Sequence, residues 1–262
     1  MKFAVVTNRD RDTDFSVTKK IVDIIEKNDS EAVCTEHDGL SDVISDCDVI
    51  VTVGGDGTIL GISHTAAKNG VPVIGVNRGH LGYLAEIEKE ELSELEKVIR
   101  GEYFVERRMM LRADMLVSGK KKSFYALNDI VVSHGEVLEL IDVDLFCDGV
   151  PVSSYRADGL IFATPTGSTA YSLSSGGPIV DPAHKAIILT PICPHTLSSR
   201  PVLFRENAEL SVKCEKGMLY CDGGHGIPVE NVPVNISVSP YSLRLIRLNK
   251  NSFYRIVSKK LH

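Results

Sequence analysis

The sequence predicts an α/β N-terminal domain with a parallel, Rossmann-like sheet, followed by a C-terminal all-β, sandwich-like domain. Three observations carry this prediction. The first hundred residues alternate short apolar runs with segments of helical period, and from about Met110 the apolar period falls to two. The composition is that of an ordinary globular chain, 262 residues with 43% apolar and 24% charged. A chain of this length can form one large domain or two modest ones, each burying its own core.

Phe3 to Val6 reads as an opening strand, and Val17, Ile21, Ile24 and Ile25 follow on one helical face. Ala32–Cys34 is a weak second strand. Val49–Val53 is a continuous apolar run ending in Gly-Gly, and Val73–Val76 is another, ending in Asn77-Arg78-Gly79. Leu92, Leu95, Val98 and Ile99 mark a helix that Gly101 closes. Continuous apolar strands alternating with helices predict a parallel sheet covered on both faces, with ligands beyond the carboxyl ends of its strands. The loops after Val53 and Val76 are therefore the ones to inspect. Further on, Ile141, Val143 and Leu145 alternate with Asp142, Asp144 and Phe146, and Asp148-Gly149 before Val150 is a hairpin signal. Ala208–Cys214, Ile236–Val238 and Leu243–Leu248 read as further short strands. The expected division is residues 1–106 and 107–245, with 246–262 returning to the first domain and a groove between the domains as the ligand site.

Lys and Arg number 29 against 35 Asp and Glu, a net charge of −6, so the chain has no general attraction for nucleic acid or anionic lipid. A phosphate-bearing ligand must be held locally, by backbone amides, a few Arg residues or a metal. The N-terminus turns polar after four apolar residues and no run approaches the ~18 of a spanning helix, which points to the cytoplasm and away from a membrane. The six cysteines form no C-x-x-C pair and sit among apolar residues, as buried thiols do.

Gly54-Gly55-Asp56-Gly57-Thr58 follows a buried-type strand and precedes a helix-compatible run. A dinucleotide-binding G-x-G-x-x-G would need its third glycine at Leu60, and no G-x-x-x-x-G-K-[ST] occurs, so hydride-transfer Rossmann enzymes and P-loop NTPases are disfavoured. Three glycines let the backbone approach a phosphate chain, and the amides opening the next helix supply aligned donors. Asp56 would repel the anion beside it unless it bound a bridging divalent cation or accepted a proton from an attacking hydroxyl; the bland alternative is a turn or helix-cap residue. Asn128-Asp129 could address two vicinal hydroxyls of a ribose, or be a turn. Tyr155–Gly159 and the hydroxyl- and Gly-rich stretch Thr164–Pro178 read as a binding loop, with Tyr171 offering an aromatic surface to a purine and the hydroxyls offering hydrogen bonds. A flexible surface loop is the alternative. A serine-nucleophile loop is excluded because no G-x-S-x-G occurs.

Gly54–Thr58, Asn77–Leu84, Asn128-Asp129, Asp158-Gly159, Thr164–Pro178, His195–Pro201 and Asp222-Gly223 occur in the order and rough spacing of bacterial and archaeal NAD kinases, which the chain resembles over nearly its whole length. G-G-D-G-T is shared with diacylglycerol and sphingosine kinases and, loosely, phosphofructokinases, whereas T-P-T-G-S-T-A-Y followed by S-G-G-P is much more specific. The resemblance implies an enzyme that transfers a phosphoryl group from ATP or polyphosphate, with Mg²⁺ or another divalent metal, to the 2′-hydroxyl of the adenosine ribose of NAD. It implies NAD bound between the two domains of a homo-oligomer, a tetramer or dimer. On matching positions it makes Asp56 the catalytic carboxylate and a possible metal contact, with Gly54, Gly55, Gly57 and Thr58 at the donor phosphates. Asn128 and Asp129 become ribose and pyrophosphate contacts; Thr169, Ala170, Tyr171 and Ser174 line the adenine and ribose; Arg156 and Asp158 reach the other end of NAD. Tyr83 stands near the nucleotide where the family usually has Phe, and Asp129 where Glu is commoner. Gly224 stands where Gln is frequent, and no contact is carried over there.

Two competing readings differ in class. A lipid kinase of the diacylglycerol type would need an acyl pocket or a basic membrane-facing patch, and beyond Lys120-Lys121-Lys122, read as a solvated hairpin tip, no Lys/Arg cluster occurs. A non-catalytic NAD(P) sensor of the same fold would bind without turnover. No pair among the eight histidines has zinc-ligand spacing, and His195 reads as support for the core around the ligand loop.

Overall fold

Residues Lys2–Thr7 form β1, buried from Phe3 onward because helices cover both faces of the sheet it joins. This computed structural model describes residues 1–79, 82–135, 139–196, 198–249 and 252–260. Helix α1 (Ser16–Lys27) buries Val17, Ile21 and Ile25 on one face and leads to β2 (Glu31–Thr35), the single turn α2 (Leu40–Val43) and the fully buried β3 (Val49–Gly54). The 14-residue α3 (Asp56–Asn69) stops at Gly70, whose φ of 68° is left-handed, before β4 (Val73–Asn77). The four strands are parallel in the order β4-β3-β1-β2. That order reverses at β1, so the switch point lies between the carboxyl ends of β1 and β3, where such sheets bind ligands.

The short β5 (Ile87–Glu88) pairs with β4. The helix expected around Leu92–Ile99 is a 3₁₀ turn, Leu92–Glu94, continuing into the five-residue α4 (Leu95–Ile99). Gly101 (φ 75°) follows it. Strand β6 (Phe104–Val117) then carries the chain out of the first of two units, residues 1–108 with 241–262, into the second, residues 109–240.

In the second unit β7 (Lys120–Ala126) returns along β6, and Lys120, Lys121 and Lys122 are exposed. Next come β8 (Asp129–Ser133), β9 (Ile141–Cys147) and β10 (Val150–Ala157), the last two joined by Asp148 (φ 51°) and Gly149 (φ 78°) as the Asp-Gly signal demands. Then follow β11 (Gly159–Ala163), the one-turn α5 (Tyr171–Ser174), β12 (Ala186–Ile192), β13 (Val202–Arg205), β14 (Leu210–Cys214), β15 (Lys216–Cys221), β16 (Ile227–Glu230) and β17 (Val234–Arg247). One antiparallel sheet runs β13-β12-β11-β8-β15-β16 and another runs β10-β9-β14-β17. Their facing residues, among them Ile130, Leu160, Phe162 and Leu219 against Val143, Leu145, Leu210 and Val212, make a sandwich core.

The 236–248 region differs from expectation, being one 14-residue strand in place of two short ones. Pro240 is accommodated because its fixed φ suits extended backbone. The end of β17 belongs to the first unit, where Leu245 pairs with Val73 and Ile246 enters the core of Phe3, Val51, Ile74 and Leu95. Helix α6 (Ser252–Lys260) follows. Cys34 and Cys193 are exposed, against the expectation of buried thiols, while Cys47 and Cys214 are buried. Among the described residues no helix is long and apolar enough to cross a membrane.

Candidate active site

Because β3 is buried along its whole length, it delivers Gly54 and Gly55 to the carboxyl edge of the sheet and starts α3 at Asp56. A cavity of about 340 Å³ opens there, lined by residues 54–58, Asn8, Arg11, Asn77, Gly79, Gly82 and Lys260. With no side chain at Gly55 or Gly57, the start of α3 presents the positive end of its dipole to a cavity that also holds two cationic side chains, while the Thr58 amide is spent on Gly55 O at 3.0 Å. The chemistry of that lining suits a phosphate chain.

Asp56 does not cap its own helix. Its Oδ2 accepts the amide of Tyr83 at 2.7 Å, and its Oδ1 accepts those of Leu84 at 3.1 Å and Ala85 at 3.3 Å. A carboxylate offers about four lone-pair sites. Among the described residues three are taken, which leaves one, on Oδ2, for a hydroxyl or a cation. Gly82 must be glycine, since a Cβ there would overlap the Asp56 carboxyl group. The Tyr83 ring carries Lys260 Nζ at 4.3 Å from its centroid, and burial first, then the Asp56 charge, pushes the Tyr83 phenol up. Asn77 and Arg78 of the same resemblance segment are fasteners. Arg78 donates its backbone amide to Gly54 O at 2.8 Å and pairs through Nη1 with the buried Asp12 at 2.6 Å.

In the second unit a similar device holds Asn128 and Asp129. The Asp222 carboxylate accepts the amides of Leu127, Asn128 and Asp129 at 2.7, 2.7 and 3.1 Å. The carbonyls of Leu127 and Asn128 accept from the Thr164 hydroxyl at 2.6 Å and the Thr164 amide at 2.8 Å. Burial and then the charge of Asp222 push the Asp129 carboxyl up to about 7, and burial, opposed by its three amides, leaves Asp222 at about 6. Two buried carboxyl groups this close do not both ionise readily.

The Thr164–Pro178 stretch is more ordered than a loop, with a 3₁₀ turn at Gly167–Thr169 before α5. Its hydroxyls, read from the sequence as offering bonds to a ligand, divide by role. Thr164, Ser168 and Ser172 are fully buried and spent internally, Ser168 on Pro165 O and Val180 N and Ser172 on the Thr190 hydroxyl. Thr169 and Ala170 are half-buried, whereas Tyr171, 46% exposed, and Ser174 are open to a ligand. Burial raises the Tyr171 phenol, with further contributions from Cys193, Asp158 and Asp129. Asp158 and Asp129 thus lie within electrostatic reach of Tyr171. Arg156 is exposed near the end of β10. His195 is exposed and bonded through its backbone to Arg156 O, so it does not support the core. His80, Leu81 and Leu197 of the resemblance segments lie outside the described residues.

Sequence reasoning missed Arg247 and Lys260, and assigned no role to Asp222 although Asp222-Gly223 stood in a recognised segment. The signal in the sequence was the Asp222-Gly223 pair, residue types that tolerate a positive-φ turn, and both adopt one (φ 49° and 70°), but the pair does not say which amides Asp222 holds. Among the described residues no three His, Cys, Asp or Glu side chains group as metal ligands. With its single open site, Asp56 fits a hard divalent ion that takes its remaining ligands from phosphate oxygens and water.

Comparison with known proteins bears on the whole chain. The family model of the ATP-NAD kinase N-terminal domain matches residues 3–103, and that of the ATP-NAD kinase C-terminal domain matches residues 127–248. The chain is 41% identical to the NAD kinase of Clostridium botulinum (strain Kyoto / Type A2), over 97% of this chain and 94% of that protein. It is 38% identical to the NAD kinase of Thermoanaerobacter sp. (strain X514), over 99% and 98%. Among solved structures, an NAD kinase from Archaeoglobus fulgidus in complex with ATP superposes with a TM-score of 0.85 at 31% identity, covering 100% of this chain and 98% of that one. Yeast NADH kinase complexed with NADH superposes with a TM-score of 0.81 at 25% identity, covering 100% and 87%. With both domain models matched in order and such identity along its length, the chain belongs to the NAD kinase family.

Proposed function

We propose that this NAD kinase phosphorylates the 2′-hydroxyl of the adenosine ribose of NAD, giving NADP, with ATP or polyphosphate as donor. The observation that carries the reading is the Asp56 carboxylate, fixed by three amides with one free site on Oδ2, at the mouth of a glycine-rich turn. Phosphoryl transfer needs positioning and charge stabilisation more than covalent help. The turn at residues 54–58 holds the donor phosphates, Arg11 and Lys260 offset their charge, and Asp56 Oδ2 accepts the hydroxyl proton or aligns the hydroxyl for attack. Asp56 together with donor phosphate oxygens would hold Mg²⁺, which would supply neutralisation of the donor's negative charge. In the second unit Asn128 and Asp129 contact the ribose and pyrophosphate of NAD, Tyr171 stacks on the adenine beside Thr169, Ala170 and Ser174, and Arg156 and Asp158 reach the other end of NAD. The enzyme works as a cytoplasmic homo-oligomer, a tetramer or dimer.

The test is NADP formation from NAD, Mg²⁺ and ATP, coupled to an NADP-specific dehydrogenase. Asp56→Asn should lower kcat by ~10²–10⁴-fold while NAD binds as before. Unchanged kcat would remove Asp56 from its role. NAD binding without turnover on ATP or polyphosphate would favour the sensor reading.

A further inference from the structure

Arg247, at the end of β17, is 3% exposed, and both terminal nitrogens of its guanidinium donate to one stretch of chain, residues 83–86. Nη2 donates to Tyr83 O at 3.2 Å, and Nη1 to Leu84 O at 2.9 Å and to Glu86 Oε2 at 3.0 Å. Nε donates to Glu106 Oε2 at 2.9 Å. Glu86 Oε1 in turn accepts the amides of Leu248 at 2.9 Å and Asn249 at 3.2 Å, so the end of β17 and the 83–86 segment hold each other.

The two carbonyls have a particular meaning. A trans peptide is planar, with its C=O and N–H pointing in opposite directions. The Tyr83 carbonyl shares its plane with the Leu84 amide, and the Leu84 carbonyl shares its plane with the Ala85 amide. Those are the two amides that hold Asp56 Oδ1. Arg247 and Asp56 therefore grip opposite edges of the same two peptide planes. The guanidinium fixes how the planes are turned and polarises them, which strengthens the amides as donors.

We propose that Arg247 is a positioning residue for phosphoryl transfer, acting on Asp56 through these two peptide planes. The proposal rests on the reading of Asp56 given above. Fixing Oδ1 fixes the rotation of the carboxyl group, and with it the direction in which the free site on Oδ2 points. A lysine keeps the charge but not the planar fork that reaches two carbonyls at once.

The test is a double-variant cycle in the full-length enzyme, with melting temperature and NAD affinity measured alongside. Arg247→Lys should lower kcat roughly 10- to 100-fold in the wild-type background, the scale of a misplaced reacting group, with KM for NAD within about threefold. In the Asp56→Asn background the same change should lower kcat by less than about twofold, because its target is already gone. Equal losses in both backgrounds, or a raised KM with kcat intact, overturn the proposal. If Arg247→Lys does not fold, Arg247→Gln is taken through the same cycle. If Asp56→Asn itself leaves kcat unchanged, the reading of Asp56 fails first and this proposal with it.

Discussion

Raising the pH should destabilise this protein through Asp129, opposite to the usual behaviour of a carboxylate. In the unfolded chain Asp129 titrates near 3.8, whereas in the fold burial and the neighbouring Asp222 push it up to about 7. Between these values the folded state binds a proton that the unfolded state has released, so stability falls as pH rises from about 4 to about 7. A gap of about 3 units, at 1.36 kcal/mol each, amounts to on the order of 4 kcal/mol over that range. Groups such as Glu106 oppose it. Burial tends to raise that carboxyl, but the adjacent Arg108 and Arg247 outweigh burial and hold it below its usual range, so its contribution is lost as pH falls. A single pH profile mixes these effects, and comparison with Asp129→Asn isolates the first. We expect urea unfolding of the ligand-free protein, followed by circular dichroism, to show wild type and variant of similar stability near pH 4.5. At pH 8 the variant should be the more stable by roughly 2–4 kcal/mol. A difference that stays constant across the range would refute the argument, since it would mean that Asp129 is ionised in the fold at every pH tested.

Tyr171→Ala should weaken NAD binding by roughly 1–3 kcal/mol, the worth of a base on an aromatic ring, with little change in kcat; unaltered NAD affinity by calorimetry would move the adenine elsewhere. Gly167→Ala would drive a Cβ into the backbone of Asn128, with that residue's Cα at 2.8 Å. It should lower the melting temperature by roughly 3–10 °C, the effect of about 1–3 kcal/mol of overpacking in a chain of this size. Asp12 has no solvent-exposed side-chain surface, accepts the amides of Val17 and Thr18, and pairs with Arg78. Asp12→Ala should therefore cost on the order of 3–5 kcal/mol in urea unfolding, and a cost under about 1 kcal/mol would show that the pair is dispensable.

What was legible in the sequence was local. The run Val49–Val53, apolar except for Thr52, read as a buried parallel strand because a strand covered on both faces is apolar at nearly every position, and β3 is buried throughout. Asp148-Gly149 read as a hairpin because those residue types tolerate positive φ, and both adopt it. The glycines around Asp56 announced a backbone that something must approach closely. The hydroxyl-rich stretch was visible as a whole, yet no property of Thr164, Ser168 or Ser172 set them apart from Thr169 or Ser174. That division depends on which side of the turn faces Pro165, Val180 and Thr190.

The tertiary structure alone decided who holds whom. Asp56 is held by amides 27–29 residues further on, Asp222 holds amides 93–95 residues before it, and Arg247 grips carbonyls 163 and 164 residues away. Periodicity and turn chemistry report forces that act within a few residues, and so they fix elements and loop types. A buried charge must instead find whatever hydrogen-bond partners the packed elements bring to it, and here those are backbone amides and carbonyls, present at nearly every position and therefore invisible in side-chain sequence.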